Sequence, residues 1–370
     1  MTSGRVVVVG GGVLGTMHAL AALDRGFDVV HLERERAPRG ASVRNFGLIW
    51  VSGRAPGPEL DLALAARRHW EEVGRRFSEV GFRPNGSLTV ARTPEERAVL
   101  EAVVAREDAS ARGLTLVEPD EGRRINPALG GDLVAALHCS ADAAVEPRRA
   151  LGALRAGCEA TGRYHWLPGR EVTAVGEASV TDASGASHAG DLVVLCTGAC
   201  HSGVIGEILT GCPVRRVRLQ MLETEAIEAV VTTSLADGDS LRYYPAFDVP
   251  ELGTLGPQDE VAAEWDAQLL MVQRQHGGLT IGDTHASAEP FAFDLDDAPT
   301  HHLLATAGRL LGQPLPPVAR RWAGVYSQLI PGAGDALYLR VAMTRAVQLV
   351  TGPGGRGMTL APAIAAESFT

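Results

Sequence analysis

The sequence contains no lysine, so all 34 of its basic residues are arginines. A Walker-type phosphate loop needs a lysine on the phosphates, and a pyridoxal enzyme needs a lysine for its Schiff base. The absence therefore excludes both classes. The basic residues are also outnumbered by 44 acidic ones, which gives a formal net charge of −10. A field of this sign repels phosphate backbones, so we expect no nucleic-acid partner.

Cysteine is scarce and irregularly placed. The five cysteines form no CxxC pair and no regular spacing, so they favour neither a zinc site nor a disulfide framework. There is no signal-peptide pattern at the N-terminus and no apolar stretch of about 18 residues. We expect a soluble cytoplasmic protein with free thiols, no bound metal and no membrane span.

The first 33 residues have the pattern of a dinucleotide-binding unit. A β-branched strand at 5–9 is followed by the glycine-rich segment GGGVLG at 10–15, a helix pattern and a second strand at 27–32. In such a unit Gly10 permits the tight turn, Gly12 lets the backbone approach a pyrophosphate, and Gly15 lets the helix pack against the strand. Glu33 ends the second strand, where a carboxylate accepts hydrogen bonds from ribose hydroxyls.

A second GxGxxG pattern, formed by Gly352, Gly354 and Gly357, lies near the other end of the chain. Only 13 residues follow Gly357, too few for a helix, a second strand and its acidic residue. This segment is therefore not a second nucleotide-binding unit.

The rest of the chain mixes helix and strand patterns. Apolar periodicity predicts helices at 57–78, 94–112 and 147–161. Strands are predicted at 87–90, in short pieces between 164 and 195, and at 217–223, 241–244, 269–274 and 279–282. Proline and glycine divide residues 312–334. At 370 residues, the chain is long enough for two domains.

Nine segments, in this order, carry a family likeness: GGGVLG at 10–15 with the following Glu33 and Arg34, GASVRNFG at 40–47, NGSL at 85–88, VEP at 145–147, VLCTGA at 194–199, LQM at 219–221, GLTIGDT at 278–284, WAG at 322–324 and GGRGMTLAPA at 354–363. Together they resemble the D-amino-acid oxidase, glycine oxidase and sarcosine oxidase superfamily of FAD-dependent oxidoreductases. Within this likeness, the sequence looks most similar to a bacterial subgroup associated with aminophosphonate breakdown.

The resemblance implies an α/β fold with a Rossmann-like FAD-binding domain. The second domain would be an α+β substrate domain built on a mixed or antiparallel sheet. The FAD-binding domain would comprise residues 1–80, 141–212 and 325–370, and the substrate domain residues 81–140 and 213–324. The glycines near residue 354 would precede a final helix whose N-terminus faces the flavin.

The resemblance also implies a set of FAD contacts. They are Gly10, Gly12, Val13, Leu14, Gly15, Glu33, Arg34, Ser42, Arg44, Asn45, Val172, Thr197, Gly198, Gly355, Arg356, Gly357, Met358 and Thr359. Some relatives attach FAD to a cysteine near the C-terminus, but Cys212 is the last cysteine here, so we expect non-covalent FAD. Relatives that use a lysine near the flavin for oxygen activation also differ from this chain.

The expected reaction is oxidation of a small primary or secondary amine to an imine or aldehyde, with molecular oxygen reoxidising the flavin to give hydrogen peroxide. FAD would carry the difficult chemistry, so no Ser-His-Asp constellation is required. Tyr326 stands where relatives place an arginine that binds the substrate carboxylate with a two-pronged geometry. We therefore expect glycine and simple D-amino acids to be poor substrates.

By the same resemblance, candidate substrate anchors lie in or beside segments that correspond to the family's substrate sheet. Tyr326 and His285 are preferred, and the other candidates are Arg242, Tyr243, Tyr244, Arg274 and His276. Two alternatives remain open at this stage. The chain could be a flavin dehydrogenase or hydroxylase that passes electrons to another acceptor, or a non-catalytic flavoprotein subunit. The sequence does not predict an oligomeric state.

Overall fold

A computed structural model describes residues 4–369. Within them the strands are β1 Arg5–Val9, β2 Asp28–Glu33, β3 Leu48–Ile49, β4 Ser87–Ala91, β5 Leu114–Val117, β6 Ala135–Cys139, β7 Ala143–Ala144, β8 Tyr164–Pro168, β9 Val172–Val175, β10 Ser179–Asp182, β11 Ser187–Ala189, β12 Leu192–Leu195, β13 Val214–Ala226, β14 Ser234–Ala236, β15 Leu270–Gln273, β16 Gly278–Gly282, β17 Val318–Leu329, β18 Leu339–Ala342 and β19 Val347–Thr351.

The helices are α1 Val13–Asp24, α2 Pro58–Arg76, α3 Pro94–Val104, α4 Pro119–Ile125, α5 Pro147–Glu159, α6 Gly203–Ile208, α7 Asp239–Tyr243, α8 Glu260–Glu264, α9 Asp297–Leu311 and α10 Gly357–Glu367. Short 3₁₀ turns connect several of them. Proline occupies the first turn of α2, α3, α4 and α5, where its missing N–H costs no helical hydrogen bond.

A six-stranded sheet carries the N-terminal glycine turn. Its order is β18-β19-β12-β1-β2-β8, and every pair is parallel except β18 with β19. Strand β1 is apolar along its length because layers cover both faces of the sheet. Val6 and Val8 pack with α1, α2, α5 and α10, whereas Val7 and Val9 pack with α6 and the β11-β10-β9 sheet.

An eight-stranded sheet forms the second part of the molecule, in the order β17-β13-β16-β15-β14-β4-β6-β5. Its pairs are antiparallel except β14 with β4, so it is a mixed sheet. The long strands β13 and β17 pair in a register that sets Val217 opposite Tyr326 and Met221 opposite Trp322. The predicted fold class, a Rossmann-like part with a second α+β part on a mixed sheet, is confirmed.

Two local predictions differ from the structure. Residues 241–244 were expected to form a strand, but Asp239–Tyr243 is a short helix. The acidic first residue suits a helix N-terminus, and Pro245 follows where a helix ends. Residues 312–334 were expected to be broken by proline and glycine, yet the twelve-residue strand β17 lies inside this stretch. The predicted domain boundary after residue 324 falls within β17, and the domain limits remain a prediction.

No helix among residues 4–369 is long and apolar enough to span a membrane. In the same part of the chain, no three His, Cys, Asp or Glu side chains are grouped so that they could hold a metal ion.

Candidate cofactor and substrate site

A cavity of about 1130 Å³ is lined by residues of both large sheets. Its volume exceeds the roughly 300–1,000 Å³ common for small-molecule pockets, which suits a dinucleotide with a small substrate beside it. All but one of the residues predicted to contact FAD line this cavity. They are Gly10, Gly12, Val13, Leu14, Glu33, Arg34, Ser42, Arg44, Asn45, Val172, Thr197, Gly198, Gly355, Arg356, Gly357, Met358 and Thr359.

Gly15 is the exception, because it does not line the cavity, and its predicted FAD contact has no support from the structure. It is buried behind the turn, where a Cβ atom would lie 1.8 Å from the carbonyl oxygen of Gly10. Gly15 therefore allows α1 to approach the turn, which is the packing role expected of the third glycine. At Gly12 a Cβ would meet only the Ser42 Oγ atom, at 3.2 Å, so this position is open toward the cavity.

Glu33 braces the glycine turn as well as lining the cavity. Its Oε2 atom accepts a hydrogen bond from the Gly11 N–H at 2.5 Å, and its Oε1 atom accepts one from the Glu35 N–H at 2.8 Å. Bonds between a carboxylate and backbone N–H groups are charge-assisted and stronger than neutral ones. The carboxylate is thus held at the end of β2 beside the turn.

His31 also stabilises the glycine turn, through a hydrogen bond to Gly10, and the sequence analysis missed this role. Its Nε2 atom lies 3.0 Å from the Gly10 carbonyl oxygen, so Nε2 carries the proton. Its Nδ1 atom then accepts from the Tyr164 hydroxyl at 2.9 Å. Complete burial lowers the pKa of His31 to about 4, so the ring is neutral at pH 7. The sequence offered only a polar residue within a buried strand as a signal.

The segment after β2 is fixed by its own side chains. The Ser42 hydroxyl accepts from the Val13 N–H at 2.9 Å. Asn45 accepts from the Gly47 N–H at 2.6 Å and donates to the Ala41 carbonyl at 2.8 Å. Arg44 donates to the Ala323 carbonyl of β17 at 2.8 Å. These side chains therefore hold this wall of the cavity against α1 and the eight-stranded sheet.

The residues present fit a bound dinucleotide. The α1 N-terminus faces the cavity through Gly12 to Leu14, and a helix N-terminus offers unpaired N–H groups and a positive dipole end to phosphates. The Thr197 Oγ1 atom is buried and has no hydrogen-bond partner in the protein. A buried hydroxyl left unpaired in this way costs about 1–3 kcal/mol, which a polar ligand in the cavity would offset.

The second glycine pattern forms another part of the wall. Gly354–Arg356 makes a 3₁₀ turn, and α10 begins at Gly357. The Thr359 hydroxyl accepts from the Trp50 N–H at 2.9 Å and lies 3.3 Å from the Leu48 carbonyl oxygen. Arg356 pairs with Glu59 at 3.2 Å, and Glu59 also lies 3.5 Å from Arg54. The start of α10 is thereby anchored to β3 and α2.

Three tyrosines form an aromatic end of the cavity. Tyr243, Tyr244 and Tyr326 all line it. A Cβ at Gly355 would lie 3.9 Å from the hydroxyls of both Tyr243 and Tyr326, so this end adjoins the Gly354–Arg356 turn. The Tyr326 hydroxyl is buried, and burial together with the charge of Asp283 raises its pKa above the ordinary value, an effect that a hydrogen bond with Tyr243 opposes. Sequence reasoning thus identified the tyrosines that lie together, although it misassigned the local structure of two of them.

A carboxylate and an amide complete the aromatic end, and sequence reasoning missed both. Asp283 and Gln268 line the cavity and are 6% and 3% exposed. One oxygen of each, Oδ1 and Oε1, has no hydrogen-bond partner. Burial raises the pKa of Asp283 above its ordinary value, an effect that neighbouring His285 opposes. Asp283 lies within the GLTIGDT segment that carried the family likeness, and that position was its only signal.

His285 reaches the cavity as predicted. Its ring stacks on Tyr243 with centroids 4.4 Å apart, and its Nδ1 atom donates to the Asp266 carbonyl at 2.9 Å. This bond leaves Nε2 turned toward Asp283, 3.7 Å from the nearer carboxylate oxygen.

Three of the predicted anchors do not reach the cavity. Arg242, on the far side of α7, pairs with Asp239 at 3.7 Å. Arg274 is buried elsewhere, where it donates to the carbonyls of Val145 and Phe46 at 3.2 and 2.8 Å. His276 is exposed and lies 3.1 Å from Glu223. The guanidinium groups of Arg242 and Arg274 serve structural contacts outside the cavity, so the structure gives no support to the predicted substrate role of either residue.

Comparisons with known proteins agree with this geometry. A family model described as FAD dependent oxidoreductase (DAO) matches residues 5–368. An opine oxidase subunit of Rhizobium meliloti is 26% identical over 233 residues, which are 60% of this chain and 63% of that protein. The corresponding opine oxidase subunit of Agrobacterium tumefaciens (strain Ach5) is 24% identical over 61% of this chain and 64% of that protein. The match thus spans less than two thirds of either relative.

Solved structures share the fold over nearly the whole chain. Glycine oxidase from Geobacillus kaustophilus has a TM-score of 0.76 at 20% identity and covers 98% of this chain and 93% of its own. L-Proline dehydrogenase from P. horikoshii has a TM-score of 0.77 at 18% identity, with coverages of 98% and 91%. Iminodiacetate oxidase from Chelativorans sp. BNC1 has a TM-score of 0.73 at 18% identity, with coverages of 98% and 93%.

Proposed function

The chain belongs to the FAD-dependent oxidoreductase (DAO) family, and from that premise we propose that it oxidises a small primary or secondary amine at the carbon next to the nitrogen. The observation that carries the proposal is the aromatic end of the cavity beside the Gly354–Arg356 turn, with an unpartnered carboxylate oxygen on Asp283. Bound FAD supplies the redox chemistry by accepting a hydride equivalent from the substrate.

The side chains of this chain would bind and orient both molecules. We assign the adenosine and pyrophosphate to the wall formed by Gly10 to Leu14, Glu33 and Thr197, because the helix N-terminus and a ribose acceptor meet there. The flavin ring would lie along Gly355 to Thr359. Tyr243, Tyr244 and Tyr326 would then exclude water from the substrate and hold its reacting carbon against the ring.

The placement of cations bears on the substrate. Of the arginines and histidines among the predicted substrate anchors, only His285 lines the cavity, and it faces Asp283. Arg54 also lines the cavity, but it is paired with Glu59. Arg215 also lines the cavity, and its charge opposes the rise in pKa that burial causes at Tyr326, but its Nε and Nη2 atoms donate to Gln328 Oε1 at 3.1 and 3.0 Å. With a neutral tyrosine at position 326 and the guanidinium groups of Arg54 and Arg215 bonded to protein partners, we expect capture of glycine and simple D-amino acids to weaken tenfold or more, at about 1.4 kcal/mol per decade.

The proposal is tested by anaerobic reduction of the holoenzyme. Glycine, sarcosine, D-alanine, L-proline and aminomethylphosphonate would each be mixed with it in a stopped-flow instrument, with NADPH as the control. We expect bleaching of the flavin by at least one amine, slow bleaching by glycine, and no bleaching by NADPH. Reduction by NADPH alone would overturn the amine assignment. Aminomethylphosphonate tests the substrate preference that the sequence resemblance implied.

A second candidate concerns the electron acceptor. Both opine oxidase relatives are named as subunits, which favours a role for this chain within a larger assembly. Phe293 is 99% exposed and lines a surface pocket together with Trp322, Arg320 and Arg321. A partner protein could cover this surface. If oxygen is the acceptor, the amine-reduced enzyme should produce hydrogen peroxide within its turnover time. If another subunit or carrier is the acceptor, turnover should require an artificial dye.

A further inference from the structure

We propose that Asp283 anchors the positively charged nitrogen of the substrate and accepts its proton, an inference that rests on the amine oxidation proposed above. The residue follows β16 directly, and its side chain lines the aromatic end of the cavity. Its Oδ1 atom is buried and has no hydrogen-bond partner in the protein. A buried carboxylate oxygen without a partner is costly unless a ligand supplies a donor.

The protein groups around Asp283 leave the position beside its Oδ1 atom open to a ligand. Burial raises the pKa of the hydroxyls of Tyr243, Tyr244 and Tyr326, and the charge of Asp283 adds to each shift, so all three are neutral. Beyond the effect of burial, a side-chain hydrogen bond from Gln268 lowers the pKa of Asp283, whereas the nearby Asp266 raises it, and the Oδ1 atom of Asp283 keeps no partner.

His285 is the one neighbour in this group that can become a cation, and its Nε2 atom is 3.7 Å away, beyond hydrogen-bond distance. Two cavity-lining arginines are held by protein partners. Arg54 lies over the Tyr244 ring and pairs with Glu59, and Arg215 donates to Gln328. Such a site is complementary to an ammonium group and opposes an anion.

The chemistry requires a proton acceptor of this kind. An ammonium group has no lone pair with which to assist departure of hydride from the neighbouring carbon. When the substrate binds, an N–H bond of the ammonium would break and an O–H bond would form on Asp283, leaving a neutral amine and a neutral carboxyl group. The raised pKa of the buried carboxyl favours this transfer, because it narrows the gap to the pKa of the amine. The two electrons then leave with the hydride equivalent in the reaction already proposed.

The anchor can be tested separately from turnover. tert-Butylammonium has no hydrogen on the carbon next to nitrogen, so it cannot be oxidised, and tert-butanol is its neutral counterpart. Both would be titrated into holoenzyme while the visible spectrum of the flavin is recorded. We expect Asp283→Asn to weaken tert-butylammonium binding at least tenfold and to leave tert-butanol binding unchanged. Asp248→Asn, an exposed acid after α7 that does not line the cavity, is the matched control.

Equal tert-butylammonium affinity in wild type and Asp283→Asn would overturn the anchor. Should the variant fail to fold, wild-type binding decides the matter. It should strengthen as pH rises through the raised pKa of Asp283, because the ionised carboxylate holds the cation, and pH-independent binding would contradict the proposal. If no amine reduces the flavin yet Asp283→Asn loses the cation, amine oxidation fails while the cation site stands. Unchanged reduction of Asp283→Asn by an amine, with an unchanged pH profile, removes Asp283 as proton acceptor.

Discussion

Two side chains on the same face of β2 hold the glycine turn. Glu33 accepts from the N–H of Gly11, and His31 donates to the carbonyl of Gly10. The turn therefore keeps its shape through side-chain bonds in addition to the backbone freedom of glycine. Gly10 has a φ of +105°, a region that residues with a Cβ rarely adopt. The two side-chain bonds therefore stabilise a backbone conformation that few other residues could take up.

Replacement of Glu33 by alanine should lower FAD affinity. The variant loses the charge-assisted bond to Gly11 and the proposed bonds to the ribose, a cost on the order of 1.5–3 kcal/mol. Titration of the apoprotein with FAD, followed by flavin fluorescence, measures the change. Glu72→Ala, an exposed acid on α2, should bind FAD like wild type. An unchanged FAD Kd for Glu33→Ala would remove Glu33 from the binding site.

Protonation of buried histidines should destabilise the protein in mild acid. Burial lowers the pKa of His31 and His18 to about 4, whereas an unfolded histidine titrates near 6.5. Between these two values the histidines are protonated in the unfolded chain but stay neutral in the native protein. The free energy of unfolding therefore falls as pH decreases from about 6.5 to 4. Each histidine contributes on the order of 3 kcal/mol to this fall, at about 1.4 kcal/mol per pKa unit.

A single variant isolates this effect. His31→Gln can still donate to Gly10 but does not titrate, so its urea stability should fall less between pH 7 and pH 4 than that of wild type. Burial raises the pKa of Asp237 to about 7, which acts in the opposite direction over this range and is common to both proteins. The exposed His69→Gln variant should follow wild type. Parallel pH curves for wild type and His31→Gln would contradict the assignment.

At the scale of elements, α1 depends on two glycines in different ways. Gly15→Ala places a Cβ within 1.8 Å of the Gly10 carbonyl, so α1 must move away from β1. Gly12→Ala meets only the Ser42 hydroxyl at 3.2 Å, yet its methyl group enters the space assigned to the pyrophosphate. We expect Gly15→Ala to lower the melting temperature of the apoprotein, and Gly12→Ala to keep that temperature near wild type while weakening FAD binding.

Comparison of the two alanine variants is the control that this prediction needs. Each adds one methyl group within the same glycine segment, so general effects of a larger side chain are shared. Thermal unfolding of apoprotein and FAD titration should rank the variants in opposite orders. If one variant had both the lower melting temperature and the weaker FAD binding, the packing role and the cofactor-binding role would not be divided between Gly15 and Gly12.

The sequence pattern predicted those helices and strands whose hydrophobic periodicity and end residues are set by neighbouring residues in the chain. The strand, turn, helix and strand at 5–33 were predicted within three residues, and helix α5 within two. The helix expected at 94–112 ends at Val104, because polar and small residues then form turns. Strand β17 was missed because its stability comes from pairing with β13, about a hundred residues earlier, and not from its own sequence pattern.

The same distinction holds for the site. The glycine segments predicted much of the cavity wall, since turns with small residues have few other uses. Asp283, Gln268, Arg54 and His31 were missed because their proximity depends on which strands meet and on which side chains turn inward. Arg242 and Arg274 were predicted because they lie in or beside segments that correspond to the family's substrate sheet, but they pair with Asp239 and with backbone carbonyls outside the cavity.

At the scale of the whole molecule, the positions of the cysteines predict non-covalent FAD. Cys196 and Cys200 line the cavity, but they flank Thr197 and Gly198 at the end assigned to the nucleotide. Cys139 and Cys158 are buried and do not line the cavity, and Cys212 does not line it either. Acid precipitation should therefore release all FAD into the supernatant. A yellow pellet after trichloroacetic acid would show a covalent bond that this arrangement does not provide.

The cavity wall is completed by segments from opposite ends of the chain. Helix α10 packs on α1 and α2, and β19 pairs with β12 of the same sheet that contains β1. During synthesis on a ribosome, the N-terminal turn emerges long before residues 347–367. The growing chain consequently has no complete cofactor cavity until α10 has been released, so FAD capture must follow translation of this helix, and any nascent chain stalled before Gly357 would be left without a flavin site.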